Sequence, residues 1–173
     1  MTALIRDSQR SFKTDKRRIQ KITENLLKYL KLPDKDVSIL FINNRQIQKL
    51  NREFFGKDRP TNVISFSYLG GVCHGSSSGA AVGPGEARKP EMPELPCEII
   101  GDIIISLEKA QEEADGAHIP FYERVAALII HGLLHIVGFD HEKGGNESRR
   151  MRYREKKLLT YVTSLEIYKE ITL

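Results

Sequence analysis

The sequence predicts an α+β fold, organised as one compact domain in which helices pack on a small mixed β-sheet. Three observations lead to this prediction. The 173 residues, of which 40% are hydrophobic, are enough for one sizeable core. Short apolar runs rich in β-branched residues occur in the first two thirds of the chain, and segments of helical periodicity separate several of them. The last third is helical, and this order of elements favours a single α+β domain spanning residues 1–173.

The first 68 residues are predicted to form three strands and two helices. In chain order these are a strand at residues 3–7, a helix at about 15–30, a strand at 37–42, a short helix, and a strand at 63–68. Thr14 is the expected cap of the first helix, and Asn43 or Asn44 is the expected cap of the second. The inner face of the second helix is expected to consist of Ile47, Leu50 and Phe54.

The C-terminal half begins with the clearest strand pattern, at residues 98–106. Ser106 is expected to begin a helix that ends near Gly116, and Pro120 opens the next helix. The apolar positions of that helix continue around most of its circumference, so it is expected to be buried against the sheet. A last helix is predicted from about residue 146 to 165, with an inner face of Met151, Leu158, Val162 and Leu165.

Residues 69–97 separate the two halves. Gly, Ser and Pro dominate there and no periodicity is present, which predicts a flexible insertion loop. Cys73 and Cys97 lie in this loop, and a disulfide between them is not expected in a reducing cytosol. His74 is not expected to bind a metal, because a metal ligand needs a rigid carrier.

Charge and hydropathy indicate the kind of partner. The net charge is +4, and basic residues concentrate within residues 6–28 and 149–157, which favours a phosphate-rich partner. No apolar run approaches the roughly 20 residues that a transmembrane helix needs. The N-terminus shows no export signal. We therefore expect a cytoplasmic protein with no membrane partner.

Three of the five histidines lie within the sequence HGLLHIVGFDH. His131 and His135 are spaced i, i+4, which places both on one helix face. Gly138 is expected to end the helix in a left-handed conformation, so that the chain can bring His141 to the same point. Three imidazoles with a fourth position open to water are typical of catalytic zinc. The motif therefore predicts a zincin-like histidine helix with one Zn2+ ion, and nickel or cobalt can use the same ligands.

The residue after the first histidine distinguishes this motif from the zinc proteases that share its spacing. Those proteases place a glutamate there as the general base, whereas this chain has Gly132. Peptide hydrolysis is therefore disfavoured relative to attack on a phosphodiester, although a metalloprotease-like hydrolase stays open. Asp140 and Glu142 flank His141, and either can orient an imidazole or act as a base. Of the two, Asp140 is the catalytic candidate.

The end of the second predicted helix, the third predicted strand and the segment between them contain further candidate residues. Their basic side chains and small polar groups suit a groove that binds a polyanion. The candidate substrate contacts are Arg52, Lys57, Arg59, Asn62 and Ser65. Arg59 is also a catalytic candidate.

HGLLHIVGFDH resembles the signature of the YbeY family of bacterial rRNA maturation factors and endoribonucleases, whose pattern is HGxLHLxGYDH. KDRPTNVISF resembles that family's KDxPTDVLSFP segment, and IGDIIIS resembles its LGDIxIS segment. Met151 and Glu155 match its M-x3-E pattern. The matches occur in the same order and cover about residues 37–165.

The resemblance implies a zinc-dependent endoribonuclease that prefers single strands and acts in 16S rRNA 3′-end maturation and ribosome quality control. Its implied partners are rRNA and the ribosomal small subunit, and its implied metal ligands are His131, His135 and His141. The chain departs from the family pattern at Phe55, where an arginine is common, and in the longer loop at 69–97. A non-catalytic ribosome-assembly factor that binds RNA is therefore an open alternative.

Overall fold

The computed structural model describes residues 3–32, 34–69, 99–139 and 145–172. In chain order they form β1 (Ala3–Asp7), α1 (Lys16–Tyr29), β2 (Asp36–Ile42), α2 (Asn44–Phe55), β3 (Val63–Ser67), β4 (Ile99–Ser106), α3 (Leu107–Ala117), α4 (Phe121–Ile136), α5 (Gly145–Ser164) and α6 (Glu166–Thr172). The predicted insertion loop lies outside the described residues except for Leu69. Both cysteines and His74 lie outside them as well.

The described strands form one mixed sheet in the order β1-β2-β4-β3. β1, β2 and β4 run parallel, whereas β3 lies at the edge and is antiparallel to β4. The parallel pair β1 and β2 needs a crossover connection, which α1 provides. The predicted α+β class, with one domain built on a mixed sheet, is confirmed.

Two apolar clusters cover opposite faces of the sheet. Side chains along a strand alternate between its faces, and β4 shows this directly: Ile103 belongs to the large cluster that contacts α1, α4 and α5, whereas Ile104 belongs to a smaller cluster. The smaller cluster also contains Ile47 of α2 and Ile64 of β3. α2 and α4 therefore lie on opposite faces of the sheet.

Helix α4 packs closely against β4, as its apolar pattern predicts. Ile129, Ile130 and Leu133 are buried almost completely. A Cβ atom added at Gly132 would lie 2.8 Å from Cγ2 of Ile103, so only glycine permits the observed approach of helix and strand. This contact fixes the distance between α4 and the sheet.

The C-terminal end of α4 has the geometry that the sequence predicts. Gly138 has a φ of 92°, in the left-handed region that glycine adopts readily. Its N–H donates to the carbonyl of His135, and the N–H of Phe139 donates to the carbonyl of Leu134. These two hydrogen bonds form a Schellman motif, which turns the chain sharply after the histidine-bearing helix.

The predicted cap of α1 is wrong by one residue. Asp15, rather than Thr14, caps the helix, and its side chain accepts a hydrogen bond from the backbone N–H of Arg18. Thr14 instead donates from its hydroxyl to Asp7 at the end of β1. The helix ends at Tyr29, slightly before the predicted boundary.

Two further details differ from the predictions. Phe54 is 55% exposed, so it does not belong to the inner face of α2, and Phe55 packs inward in its place. The predicted last helix is confirmed within one residue at each end as α5, but α6, which follows it directly, was not predicted. Asn43 is confirmed as the cap of α2, where it forms a capping box with Gln46.

No single helix in the described part of the chain is long and apolar enough to cross a bilayer. α3 and α4 meet the criteria of length and composition only as a pair, and the break between them is bent by 117°.

Candidate active site

Two histidine side chains of α4 converge on one point. The rings of His131 and His135 meet edge to face, with centroids 4.5 Å apart. Their Nε2 atoms are separated by 3.1 Å. The i, i+4 spacing places both rings on one face of the helix, as predicted. The two Nε2 atoms lie within hydrogen-bond distance of each other, and in their deprotonated form both could ligate one metal ion.

Glu155 of α5 orients the first of these rings. Its Oε1 lies 2.7 Å from Nδ1 of His131. An ionised carboxylate only accepts hydrogen bonds, so Nδ1 is the donor, and in the neutral imidazole Nε2 keeps its lone pair. Glu155 thus fixes the tautomer of His131 that can bind a metal, as carboxylates behind metal-binding histidines generally do.

The role of Glu155 was not predicted, although it matches the family pattern in the last helix. Met151, one turn earlier on α5, is 1% exposed. Residues four apart share a helix face, so the pair indicates a carboxylate that points towards the interior. Asp140 and Glu142, the carboxylates predicted from the sequence to orient an imidazole, lie outside the described residues.

His141, the third predicted ligand, also lies outside the described residues, and within them no three His, Cys, Asp or Glu side chains form a metal-binding group. The two described imidazoles nevertheless fit zinc. Zn–N distances of about 2.0–2.1 Å in a tetrahedral site separate two ligand nitrogens by roughly 3.3 Å, close to the observed 3.1 Å. A donor set of nitrogens also favours zinc over magnesium or calcium. Completion of the site by His141 stays a prediction.

A cleft of 430 Å³ opens beside His131 and Glu155. Three cationic side chains line it: Arg124, Arg152 and Lys156. Apolar side chains form much of its remaining wall: Val63, Ala127, Leu128, Ile130 and Leu159. Cations attract phosphate groups, and an apolar wall with few polar groups is typical of a small-ligand site. The cleft can therefore accept a nucleotide with its phosphate towards the basic side chains.

The residues predicted to contact the substrate lie mainly in a neighbouring cleft. Lys57, Arg59 and Asn62 line a space of 440 Å³ that also includes Lys109 and Glu113. Asn62 lines both clefts, so the two adjoin at this residue. The structure thus places Lys57 and Arg59 in the adjoining cleft rather than in the cleft that contains His131.

Two predicted substrate contacts lie in neither cleft. Arg52 is exposed on α2, where its Nη1 is 3.9 Å from Oδ1 of Asp58. Ser65 is only 4% exposed. It lies between Val63 and Ser67 on the face of β3 that packs on α4, so it belongs to the interior and not to the exposed surface of a groove.

A single carboxylate joins the two clefts. Oε2 of Glu113 accepts a hydrogen bond of 2.8 Å from Nε of Arg124 and lies 2.7 Å from its Nη2. Oε1 of Glu113 accepts a hydrogen bond of 3.0 Å from Nδ2 of Asn62. The Oδ1 atom of Asn62 accepts from the backbone of Val63. Asn62, a predicted substrate contact, is therefore bonded within the protein at both ends of its amide.

Phe55 occupies the position where the family pattern commonly has arginine, and it packs on the opposite face of the sheet from the histidines. Its ring lies 6.5 Å from that of Phe66, measured between centroids. Phe66 and Ile64 share the face of β3 that points away from α4. The side chain at position 55 therefore contributes to the smaller apolar cluster.

Comparison with known proteins identifies the class as endoribonuclease. The model of the family described as endoribonuclease YbeY matches residues 4–163. The chain is 36% identical over 159 residues to endoribonuclease YbeY of Geobacter sulfurreducens, covering 91% of this chain and 93% of that protein. It is 38% identical over 124 residues to the Carboxydothermus hydrogenoformans protein of the same name, covering 72% and 70% of the two chains. The chain belongs to the endoribonuclease YbeY family.

A solved structure shows the same fold. The solution structure of the Thermotoga maritima protein TM1509 superposes with a TM-score of 0.57, covering 93% of this chain and 89% of that chain at 22% sequence identity. At this level of identity the similarity concerns the fold alone.

Proposed function

We propose that this protein is a zinc-dependent endoribonuclease that cleaves single-stranded RNA. We further propose that it matures the 3′ end of 16S rRNA on the ribosomal small subunit and serves ribosome quality control in the cytoplasm. The observation that carries the proposal is the Nε2 pair of His131 and His135, oriented by Glu155 beside a cation-lined cleft. Membership of the endoribonuclease YbeY family supports RNA as the substrate.

Different residues of the chain have different proposed roles at this site. His131, His135 and the predicted third ligand His141 would hold the ion, which would supply Lewis acidity toward a phosphodiester oxygen and make nearby water more acidic. Glu155 keeps His131 in the ligating tautomer. Asp140, adjacent to His141 in the sequence, is the proposed general base.

The cleft provides binding and electrostatic stabilisation. Arg152 and Lys156 can contact the phosphates of a bound strand and offset the negative charge that develops when the phosphodiester is attacked. The half-buried apolar side chain of Leu159 can pack against a base. Arg59, in the adjoining cleft, is proposed to contact the RNA outside the cleft that contains His131.

The packing of Gly132 argues against the metalloprotease alternative. Zinc proteases use the residue at this position as general base, but a Cβ atom here would lie 2.8 Å from Ile103. The position faces the sheet rather than the cleft. A glutamate side chain there would require α4 to move away from β4.

The assembly-factor alternative rests on Phe55, because the family pattern commonly has arginine at this position. It makes a distinct prediction. If the protein only binds RNA, His135→Ala would leave the 16S 3′ end normal in cells, whereas charge reversal within residues 13–21 would not.

Cleavage of a single-stranded RNA by purified protein tests the proposal. We expect a chelator to abolish cleavage, added zinc to restore it, and the same sequence in a duplex to be cleaved more slowly. His135→Ala should remove the activity even with zinc present. Intact single-stranded RNA after incubation with zinc-loaded wild type, beside an active control nuclease, would contradict the proposal.

A further inference from the structure

Arg124 lies at the boundary between the two clefts. It lines the cleft that contains His131, and its partner Glu113 lines the neighbouring cleft. The two side chains are each 29% exposed. The ion pair is thus partly buried and still open to a ligand from the cleft.

The contacts with Glu113 fix the orientation of the guanidinium group. They involve Nε and Nη2 of Arg124, both directed at Oε2. A guanidinium is planar, and its Nη1 carries two further N–H donors. Because one edge is anchored, the plane of the group is set before any anion binds. Such preorganisation reduces the entropy lost on binding.

The position of Arg124 on α4 determines which phosphate it can reach. Arg124 precedes His131 by seven residues, so the two share a helix face and lie about 10 Å apart along the axis. Along one strand of a stacked nucleic acid, each nucleotide adds about 3.4 Å along the axis. The two backbone positions are therefore separated by the rise of two or three stacked nucleotides, which favours contact of Arg124 with a phosphate other than the one cleaved beside His131.

We propose that Arg124 binds a backbone phosphate of the RNA strand two or three nucleotides from the scissile bond, and that Glu113 is the positioning residue that holds it. Through its hydrogen bond to Asn62, Glu113 also ties the guanidinium to the segment that leads into β3. This inference rests on the proposed function, because it names a contact for the same RNA substrate. It assigns Arg124 to strand binding rather than to the chemical step.

Replacement of Glu113 changes RNA affinity in opposite directions, depending on whether its charge or its contact with Arg124 matters more. By charge alone, loss of a carboxylate beside a polyanion site strengthens RNA binding. A positioning role has the opposite consequence, because Arg124 is no longer held towards the cleft. Glu113→Gln is therefore expected to weaken RNA binding although it removes a negative charge.

The experiment compares variants of the zinc-loaded protein in two measurements: steady-state cleavage of single-stranded RNA, and RNA binding over a range of salt concentrations. Arg124→Ala should raise KM and Kd roughly tenfold, with kcat nearly unchanged, since it removes one charge-assisted phosphate contact. The slope of log K against log salt should become shallower by about 0.7. Arg124→Lys should keep the salt slope without recovering full affinity, because an ammonium lacks the planar fork. Arg45→Ala is the matched control, since Arg45 is exposed on α2 and lines neither cleft.

Each outcome decides one point. Equal KM, Kd and salt slope for Arg124→Ala and Arg45→Ala would overturn the phosphate contact, and tighter binding by Glu113→Gln would overturn the positioning role. Should Arg124→Ala lower the thermal midpoint below the assay temperature, Arg124→Lys, which keeps a cation beside Glu113, decides the same question through its affinity. Absence of RNA cleavage by the wild type would refute the proposed function itself, which is a separate result.

Discussion

Replacement of Gly132 by alanine tests the contact that sets α4 against the sheet. The added Cβ would lie 2.8 Å from Cγ2 of Ile103 and 3.1 Å from its Cδ1 and Cγ1. These distances are well inside the roughly 3.5–4.0 Å at which carbon atoms attract one another. Ile103 is completely buried, and β4 is paired on both sides, so the side chain cannot move aside without displacing its neighbours.

Two opposing terms set the magnitude. Alanine is about 0.8–1.0 kcal/mol more favourable than glycine within a helix. An extra carbon in a packed core costs about 1–3 kcal/mol. The net expectation for Gly132→Ala is a loss of about 1 kcal/mol in the free energy of unfolding, or roughly 2–4 °C in Tm for a domain of this size.

Gly116→Ala provides the control. Gly116 also lies in a helix, α3, and a Cβ atom there would meet nothing within 4 Å. The same substitution should therefore stabilise the protein by up to about 1 kcal/mol. Urea unfolding followed by circular dichroism measures both changes. A Gly132→Ala variant as stable as the wild type, or more stable, would refute the view that this contact limits the approach of α4 to β4.

Three other substitutions have defined outcomes. Glu155→Gln should weaken zinc binding by about 10–100-fold, measured by competition with a chromogenic chelator, because an amide accepts the Nδ1 proton of His131 less well than a carboxylate. Burial and the charge of Glu123 raise the pKa of Tyr168 to about 12. The folded state thus favours the neutral phenol, and stability falls as pH rises from about 10 to 12; Tyr168→Phe should remove this part of the pH dependence of unfolding. Asp15→Ala should cost about 1 kcal/mol by removing the α1 cap, seen as a lower urea midpoint with an unchanged m value.

These three expectations have clear controls. Glu53→Gln, at an exposed position of α2, should leave the zinc affinity unchanged, and an equal affinity for Glu155→Gln would show that the carboxylate does not support the ligand. Parallel stability curves for wild type and Tyr168→Phe above pH 10 would contradict the role of Tyr168. Arg17→Ala, exposed in the first turn of α1, should not lower the urea midpoint as Asp15→Ala does.

The architecture could be predicted because the strong local sequence patterns agree with the way the elements pack in the folded protein. The apolar run of β4 predicts an interior strand, and the almost continuous apolar surface of α4 predicts burial. Gly138 marks the end of α4 because no other residue adopts its φ of 92° readily. Once the segment is helical, the spacing of His131 and His135 places their rings side by side. The relative position of these two residues can therefore be predicted from the local sequence.

The remaining details depend on packing between elements that are distant in the sequence. Phe54 and Phe55 both continue the apolar pattern of α2, and only the position of the sheet decides that Phe55 packs inward. Ser65 was assigned correctly to one face of β3, but both faces of the sheet are covered there, so its exposure could not be inferred. The bonds of Glu155 to His131 and of Glu113 to Arg124 each join two helices, and no local pattern predicts how helices face each other.

The most direct test of a metal-dependent RNA hydrolase at His131 and His135 is a zinc titration of chelator-stripped protein. The measured quantity is the rate of cleavage at the 3′ end of a 16S rRNA precursor. We expect no cleavage without zinc, a rise that saturates at one equivalent per chain, and no rise for His135→Ala. Full activity before zinc is added, or intact RNA at every zinc concentration, would contradict the assignment.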